Sequence, residues 1–267
     1  MPANPTHTDR AGTAPCRAAV LIAGGPLAHM LVNRLYRRFG PITVLKEEPE
    51  TKLAIMRRRA RLIGWSEALG QAAFGVLQKV ITRRSAARLS QIREDHGLDP
   101  HLDPAIPVRE IGSVNSEACR TALREADPQI VIVYGTRIIK RETLECVDAP
   151  FINYHAGVNP KYRGQHGAYW ARSNRDPEHA GVTIHLVDEG VDTGDVLYQA
   201  STEFAPADNI ATYQHRQMAT ALPLLVRAAE DALAKRLSPR RVELPSRQWF
   251  HPTLWGYIRT GLAQGVW

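Results

Sequence analysis

The spacing of apolar positions changes period several times along the chain. Residues 18–23, Ala-Ala-Val-Leu-Ile-Ala, form a continuous apolar run that ends in Gly24-Gly25-Pro26. Leu27, Met30, Leu31, Leu35 and Phe39 then follow at helical spacing, and Ile42-Thr43-Val44-Leu45 at strand spacing. A buried strand, a glycine turn, a helix and a second strand predict the opening of a parallel α/β sheet. Ile130-Val131-Ile132-Val133-Tyr134 lacks polar alternation, as expected of a central strand buried on both faces. Residues 151–155 and 181–187 predict further strands, each running into polar residues at its C-terminal end, where open parallel sheets place their sites. Ser116 is placed to cap a helix through Ala122 and Leu123, with Asp127-Pro128 ending it. Asp208-Asn209 is expected to open a long helix carrying Ile210, Tyr213, Leu222, Leu225, Ala229 and Leu233, kinked at Pro223.

Residues 50–107 have a different texture. Arg57, Arg58, Arg59, Arg61, Arg83 and Arg84 alternate with Ile55, Leu62, Trp65, Leu69, Phe74 and Leu77. The spacing predicts two amphipathic helices with basic outer faces, which are expected to be solvated rather than to bind nucleic acid. From residue 238 the chain is basic and aromatic, with Trp249, Phe250, Trp255, Tyr257 and Trp267. That tail is too short to fold alone, so it packs back or builds a contact surface, and it is a candidate homodimer contact. The predicted organisation is a loose leader at 1–16, a main domain at 17–237 with 50–107 inserted, and the tail at 238–267.

Composition adds limits. With 267 residues there is room for one well-packed domain and a small appendage. No apolar run approaches the roughly 18 residues of a membrane span, so no membrane partner is expected. Cys16, Cys119 and Cys146 are odd in number and far apart. They exclude a disulfide framework and point to a reducing, cytoplasmic setting. The formal charge of +7 favours an anionic partner: a nucleic acid, a phosphorylated small molecule or a carboxylate-bearing cofactor.

The residues richest in chemistry lie between 153 and 195. Asn153 and His155 are two apart and share one face of an extended strand. Downstream, residues 188–195, Asp-Glu-Gly-Val-Asp-Thr-Gly-Asp, form an acidic turn with two glycines. An amide, an imidazole and a carboxylate that converge there are equipped for acyl transfer. The amide donates to a developing oxyanion, the imidazole assists proton movement, and the carboxylate orients the imidazole. No Gly-x-Ser-x-Gly or adjacent cysteine supplies a nucleophile, which favours direct transfer between two substrates. His155, His166, His185, Asp188 and Asp192 offer metal-binding atoms, but no His-x-His or His-x-x-x-His spacing supports a metal, and none is expected. Gly24-Gly25 is either a plain reversal or a helix N-terminus that meets an anionic group of a substrate.

Four motifs in order carry a resemblance. They are Asn153-Tyr154-His155, then Asn159-Pro160-Lys161-Tyr162-Arg163-Gly164, then Gly181-Val182-Thr183-Ile184-His185, then residues 188–195. Together they resemble the core of the folate-dependent formyltransferases, which include methionyl-tRNA, glycinamide ribonucleotide and sugar N-formyltransferases and formyltetrahydrofolate deformylase. The likeness extends in layout over 18–199 and is thin in the basic segment and the tail. It implies a Rossmann-like formyltransferase fold, a mostly parallel sheet flanked by helices, and 17–237 as the catalytic domain. It implies 10-formyltetrahydrofolate as donor, a small-molecule amine as acceptor, and Asn153, His155 and Asp192 as the catalytic residues. The pterin is then expected against Tyr134, Gly135, Thr136, Arg137 and Ile138 and against Asp188, Glu189, Gly190 and Val191. Gly24, Gly25, Gln165 and His185 are the acceptor-side candidates, and Arg163 is expected in a structural ion pair. Release of formate to water, or a non-catalytic relative that binds nucleic acid, are the alternatives.

Overall fold

The structure is a computed structural model that describes residues 16–267; the predicted leader, apart from Cys16, lies outside the described residues. The chain opens with β1 (Ala18–Ile22), α1 (Pro26–Phe39) and β2 (Thr43–Glu47), as the apolar pattern predicts. Gly24 and Gly25 have φ of 86° and 91°, so the turn between β1 and α1 needs residues without a Cβ. The basic segment then forms three helices rather than the expected two: α2 (Lys52–Ile63), α3 (Trp65–Arg84) and α4 (Ala86–His96). Gly64, at φ 86°, ends α2 and starts α3, and Ser85 divides α3 from α4. These breaks are single residues inside a continuous helical periodicity, which is why the pattern shows fewer.

The chain re-enters the sheet through β3 (Val108–Ile111), α5 (Glu117–Ala126), β4 (Ile130–Tyr134), α6 (Arg141–Leu144) and β5 (Phe151–His155). Ser116 caps α5 by accepting from the Cys119 N–H at 3.2 Å, and Asp127 closes it in the left-handed region. The remainder is β6 (Arg163–Gly164), α7 (Gly167–Ser173), β7 (Gly181–Leu186), β8 (Val196–Ser201), α8 (Tyr213–Leu233), β9 (Gln248–Trp249) and α9 (Leu254–Gln264). α8 begins four residues after Asn209, because Asp208 is used in a turn that binds Arg88 and Arg216. The helix continues through Pro223 as one element.

Seven strands form one sheet in the order β3-β2-β1-β4-β5-β7-β8. Pairings from β3 to β5 are parallel, whereas β5–β7 and β7–β8 are antiparallel. Alternate residues of β1 serve opposite layers. Ala18, Val20 and Ile22 pack with Met30 and Leu31 of α1 and Leu222 and Leu225 of α8. Ala19 and Leu21 pack with Cys119 and Leu123 of α5. A third cluster joins the basic segment and the tail to α7, through Phe74, Tyr162, Tyr169, Tyr213 and Tyr257. The tail thus packs back: Phe74 and Tyr257 have ring centroids 5.0 Å apart, and β9 pairs in parallel with β6.

Two buried polar groups pin the loops. Glu47, 3% exposed, accepts from the Val114 N–H at 2.9 Å, the Arg137 N–H at 2.9 Å and Arg137 Nη1 at 3.0 Å. Its removal leaves Arg137 and two loop amides without their acceptor, so Glu47→Ala is expected to cost about 3 kcal/mol in urea unfolding. His166 Nε2 lies 3.0 Å from His251 Nδ1, with the Phe74 ring 6.3 Å from His166. Burial, then the nearby Arg59, holds His166 below the ordinary imidazole value; burial, then His166, does the same for His251. His215 is lowered to about 4 by burial and by Arg93. Below pH 6.5 the unfolded chain binds protons that the native chain refuses, so acid shifts the equilibrium toward unfolding. Thermal melting between pH 7 and pH 4 should therefore show falling stability, with a shallower slope in His251→Gln; an unchanged slope would contradict the assignment.

Candidate active site

Asn153 and His155 leave the same face of β5, and the antiparallel pairing sets His185 of β7 directly opposite Asn153. Because β7 is antiparallel, its C-terminal end lies beside the start of β5, not at the sheet edge expected from the sequence. The 188–195 loop must therefore fold back to deliver Asp192. Asp188 tightens it by accepting from the Gly190 N–H at 3.1 Å and from Thr193 Oγ1 at 2.7 Å. Asp192 itself sits at φ 52°, a left-handed conformation uncommon outside glycine. A Cβ at Gly194 would run into the Leu186 carbonyl. Arg163 does not form the expected ion pair: its Nη1 donates to the Val191 carbonyl at 2.7 Å and its Nε to Ser246 Oγ at 3.1 Å. The guanidinium finds backbone and hydroxyl acceptors closer than any carboxylate.

The Asp192 carboxylate is the centre of the cluster. Oδ1 accepts from Asn153 Nδ2 at 3.3 Å and lies 3.6 Å from His185 Nε2. Oδ2 accepts from the Gly164 N–H at 2.9 Å and lies 3.3 Å from His155 Nδ1. Burial opposes its ionisation, but the neighbouring His155 and the Gly164 N–H outweigh burial and hold the carboxyl well below the usual carboxylate range. His155 is 6% exposed, and its Nε2 lies 2.8 Å from the Tyr162 carbonyl. This close approach requires Gly157, where a Cβ would strike both the Tyr162 oxygen and the imidazole.

His185 joins the group as a fourth member. Its Nδ1 lies 2.7 Å from the Leu186 carbonyl, an acceptor, so Nδ1 carries the proton. Nε2 is then free to accept from Asn153 Nδ2 at 3.0 Å. Both amide hydrogens of Asn153 are thereby engaged within the protein, one on Asp192 and one on His185. To meet an incoming carbonyl, the amide has to exchange one of these partners.

The loop after β4 sits beside this cluster. Tyr134 stacks on Tyr154 at 5.4 Å, and burial pushes its hydroxyl above the ordinary tyrosine range. Gly135 takes φ 70°, Thr136 Oγ1 donates to the Arg137 carbonyl, and Arg137 is tied to Glu47. Ile138 is 54% exposed. An Arg141–Glu189 ion pair at 2.7 Å bridges this side to the acidic loop. Gln165 is exposed, with its N–H on the Trp249 carbonyl. Gly24 and Gly25 follow β1, separated from β5 by β4.

Sequence reasoning missed the backbone parts of the site: the Tyr162 carbonyl, the Gly164 N–H and the Val191 carbonyl, none of which has a side-chain signature. It also missed a cavity of about 520 Å³ beside Asp192, walled by Asn159, Pro160, Leu186 and Arg240. The Asn159 amide is buried and has no hydrogen-bond partner among the described residues. Among the same residues, metal-like spacing occurs at Asp176, Glu178 and His179, but Asp176 is already bound by Lys161 Nζ at 2.7 Å and by the Tyr162 hydroxyl at 2.7 Å. His166, a metal candidate on sequence, is paired with His251 instead.

Comparison with known proteins agrees with this architecture. A methionyl-tRNA formyltransferase of Desulforamulus reducens is 32% identical over 123 residues, which is 45% of this chain and 38% of that protein. The matched region thus spans well under half of that relative. A sugar N-formyltransferase from Shewanella superposes with a TM-score of 0.55 at 17% identity, covering 87% of this chain and 75% of the other. A sugar 3N-formyltransferase, solved in the presence of dTDP and 5-N-formyl-THF, superposes with a TM-score of 0.52 at 12% identity, covering 89% and 70%. Both structural likenesses speak to the fold, a mostly parallel Rossmann-like sheet. The profile described as Formyl transferase matches residues 77–229, more than half of the sequence, and the chain belongs to that family.

Proposed function

We propose that this chain transfers a formyl group from 10-formyltetrahydrofolate to the amino group of a small molecule. The carrying observation is the convergence of Asn153 and His155 on the half-buried Asp192 carboxylate, with no nucleophilic side chain in the cluster among the described residues. In this reading the donor supplies the formyl group, and its pterin is held by peptide groups of residues 134–138 and 188–191. Asn153 turns an amide hydrogen from His185 or Asp192 to the formyl oxygen as that oxygen gains negative charge. His155, held between Asp192 and the Tyr162 carbonyl, has to release the Tyr162 carbonyl for Nε2 to take up the proton shed by the attacking amine, which it then passes to the departing nitrogen. Asp192, ionised throughout the neutral range, keeps the imidazole oriented.

Gly24, Gly25, Gln165 and His185 are assigned to the acceptor side. The sugar 3N-formyltransferase solved with dTDP and 5-N-formyl-THF supports a folate donor and an amino-sugar or related biosynthetic amine as acceptor. The three cysteines are free, which suits a cytoplasmic enzyme.

Asn153→Ala and His155→Ala are expected to lower amine formylation at least about a hundredfold while leaving the melting temperature little changed. Asp192→Asn keeps the shape but not the charge and should fall by a similar factor. Calorimetric titration with 5-formyltetrahydrofolate is expected to show binding by the wild type. Wild-type turnover in Asn153→Ala or His155→Ala would end the assignment. Formate release at one rate with and without amine would replace transfer by hydrolysis.

A further inference from the structure

The outward side of α3 is not polar. Trp65, Leu69, Ala72, Val76 and Val80 are all exposed and recur at intervals of four, three, four and four residues, which sets them in one stripe within roughly a quarter of the helix circumference. Val76 is 67% exposed and Leu69 55%. The inward side of the same helix is also apolar, with Ala68 and Phe74 buried. α5 shows the usual arrangement for comparison, its exposed Glu117 paired with Arg120 and Arg124. Beside α3, α9 exposes Trp255, Ile258 and Leu262, the last at 77%. The two stripes adjoin, because Trp255 occupies the space where a Cβ on Gly70 would lie, next to Leu69.

The same segment holds the charge of the protein. Residues 52–84 contain eight of the 34 Lys and Arg residues and one of the 27 Asp and Glu residues. The rest of the chain therefore has 26 of each, and the whole formal charge of +7 resides in these two helices. Arg57, Arg61, Lys79, Arg83 and Arg84 are exposed, and no carboxylate lies within ion-pair distance of them among the described residues.

We infer that this face seats the protein on an anionic lipid bilayer, with the α3 and α9 stripes entering the interface and the basic side chains reaching lipid phosphates. An aliphatic stripe flanked by Trp and rimmed by Arg matches the division of an interface into acyl, interfacial and headgroup zones. Charge complementarity selects this occupant over two others. A second copy docked by this face would oppose two concentrations of positive charge. A nucleic acid would satisfy the arginines but leave Leu69, Val76 and Leu262 against water and phosphate. That no described helix is long and apolar enough to cross a membrane bears on spanning, whereas this face lies on the surface. It revises the expectation of no membrane partner, which rested on the search for a span.

Co-sedimentation of the full chain with vesicles tests the inference. Vesicles of phosphatidylcholine with about one third phosphatidylglycerol should bind the protein at least tenfold more tightly than phosphatidylcholine alone, since each basic residue near an anionic surface contributes roughly fivefold. Leu69→Glu with Val76→Glu alters two solvent-facing positions, so the circular dichroism spectrum and melting temperature should be unchanged while vesicle binding falls at least tenfold. Arg83→Glu with Arg84→Glu should weaken binding and reduce its salt dependence. Absence of binding to anionic vesicles by the wild type overturns the proposal. So does retained binding in the Leu69→Glu, Val76→Glu variant, which would make the contact purely electrostatic. Sedimentation velocity showing a dimer that this variant converts to monomer would assign the face to a second copy instead.

Discussion

One half-buried carboxylate organises this site. A charge removed from water is tolerated only where donors and opposite charge replace the lost hydration, and the donors around Asp192 come from separate parts of the chain. β5 contributes Asn153 and His155, the turn at Gly164 contributes a peptide N–H, and His185 of β7 holds Asn153 from the other side. Each depends on a backbone condition elsewhere: the bare Cα of Gly157, the left-handed Asp192, and the antiparallel register of β5 with β7. The constraint extends outward. Gly164 pairs with Trp249, and Gln165 donates to the Trp249 carbonyl, so the tail strand holds the turn that holds Asp192. The tail is thus mechanically part of the site, although none of its side chains belongs to the catalytic cluster.

Legibility from sequence follows the range of the interactions. The strand-turn-helix opening, β4, β5 and the Ser116 cap rest on period and local hydrogen bonding, and they stand where the pattern predicts them. Asn153, His155 and Asp192 were readable as residue types, and the structure brings them together. The antiparallel direction of β7 was hidden, because a buried six-residue strand looks the same in either sense. So was the division of the basic segment into three helices, since Gly64 and Ser85 interrupt geometry without interrupting periodicity. Helix α8 was placed several residues early because Asp208 is a good cap in isolation, whereas here its carboxylate is bound by Arg88 and Arg216. The Tyr162 carbonyl and the Gly164 N–H carry no residue signature at all. His166 illustrates the converse: its type suggested a ligand, but burial against Phe74 and His251 makes it a packing partner.

The distribution of charge changes how the net basic character is read. On sequence, +7 suited an anionic donor as well as nucleic acid. In the fold residues 52–84 hold an excess equal to the net charge, the basic tail being offset by acidic residues elsewhere, and Phe74 of α3 packs against His166 near the turn that carries Gly164. Outside residues 52–84 the chain is formally balanced, and beside the candidate pterin loops Arg137 is paired with Glu47 and Arg141 with Glu189. Exposed charges more than about 8 Å apart are largely screened at physiological salt. Recognition at Asp192 draws on peptide groups, on Asn159, on Arg240 and Arg241 and on the shape of the adjoining cavity. Arg240 and Arg241 line the cavity beside Asp192, so the positive charge available to a ligand there comes from the tail, and a change of partner at the α3 surface leaves that charge and the carboxylate in place.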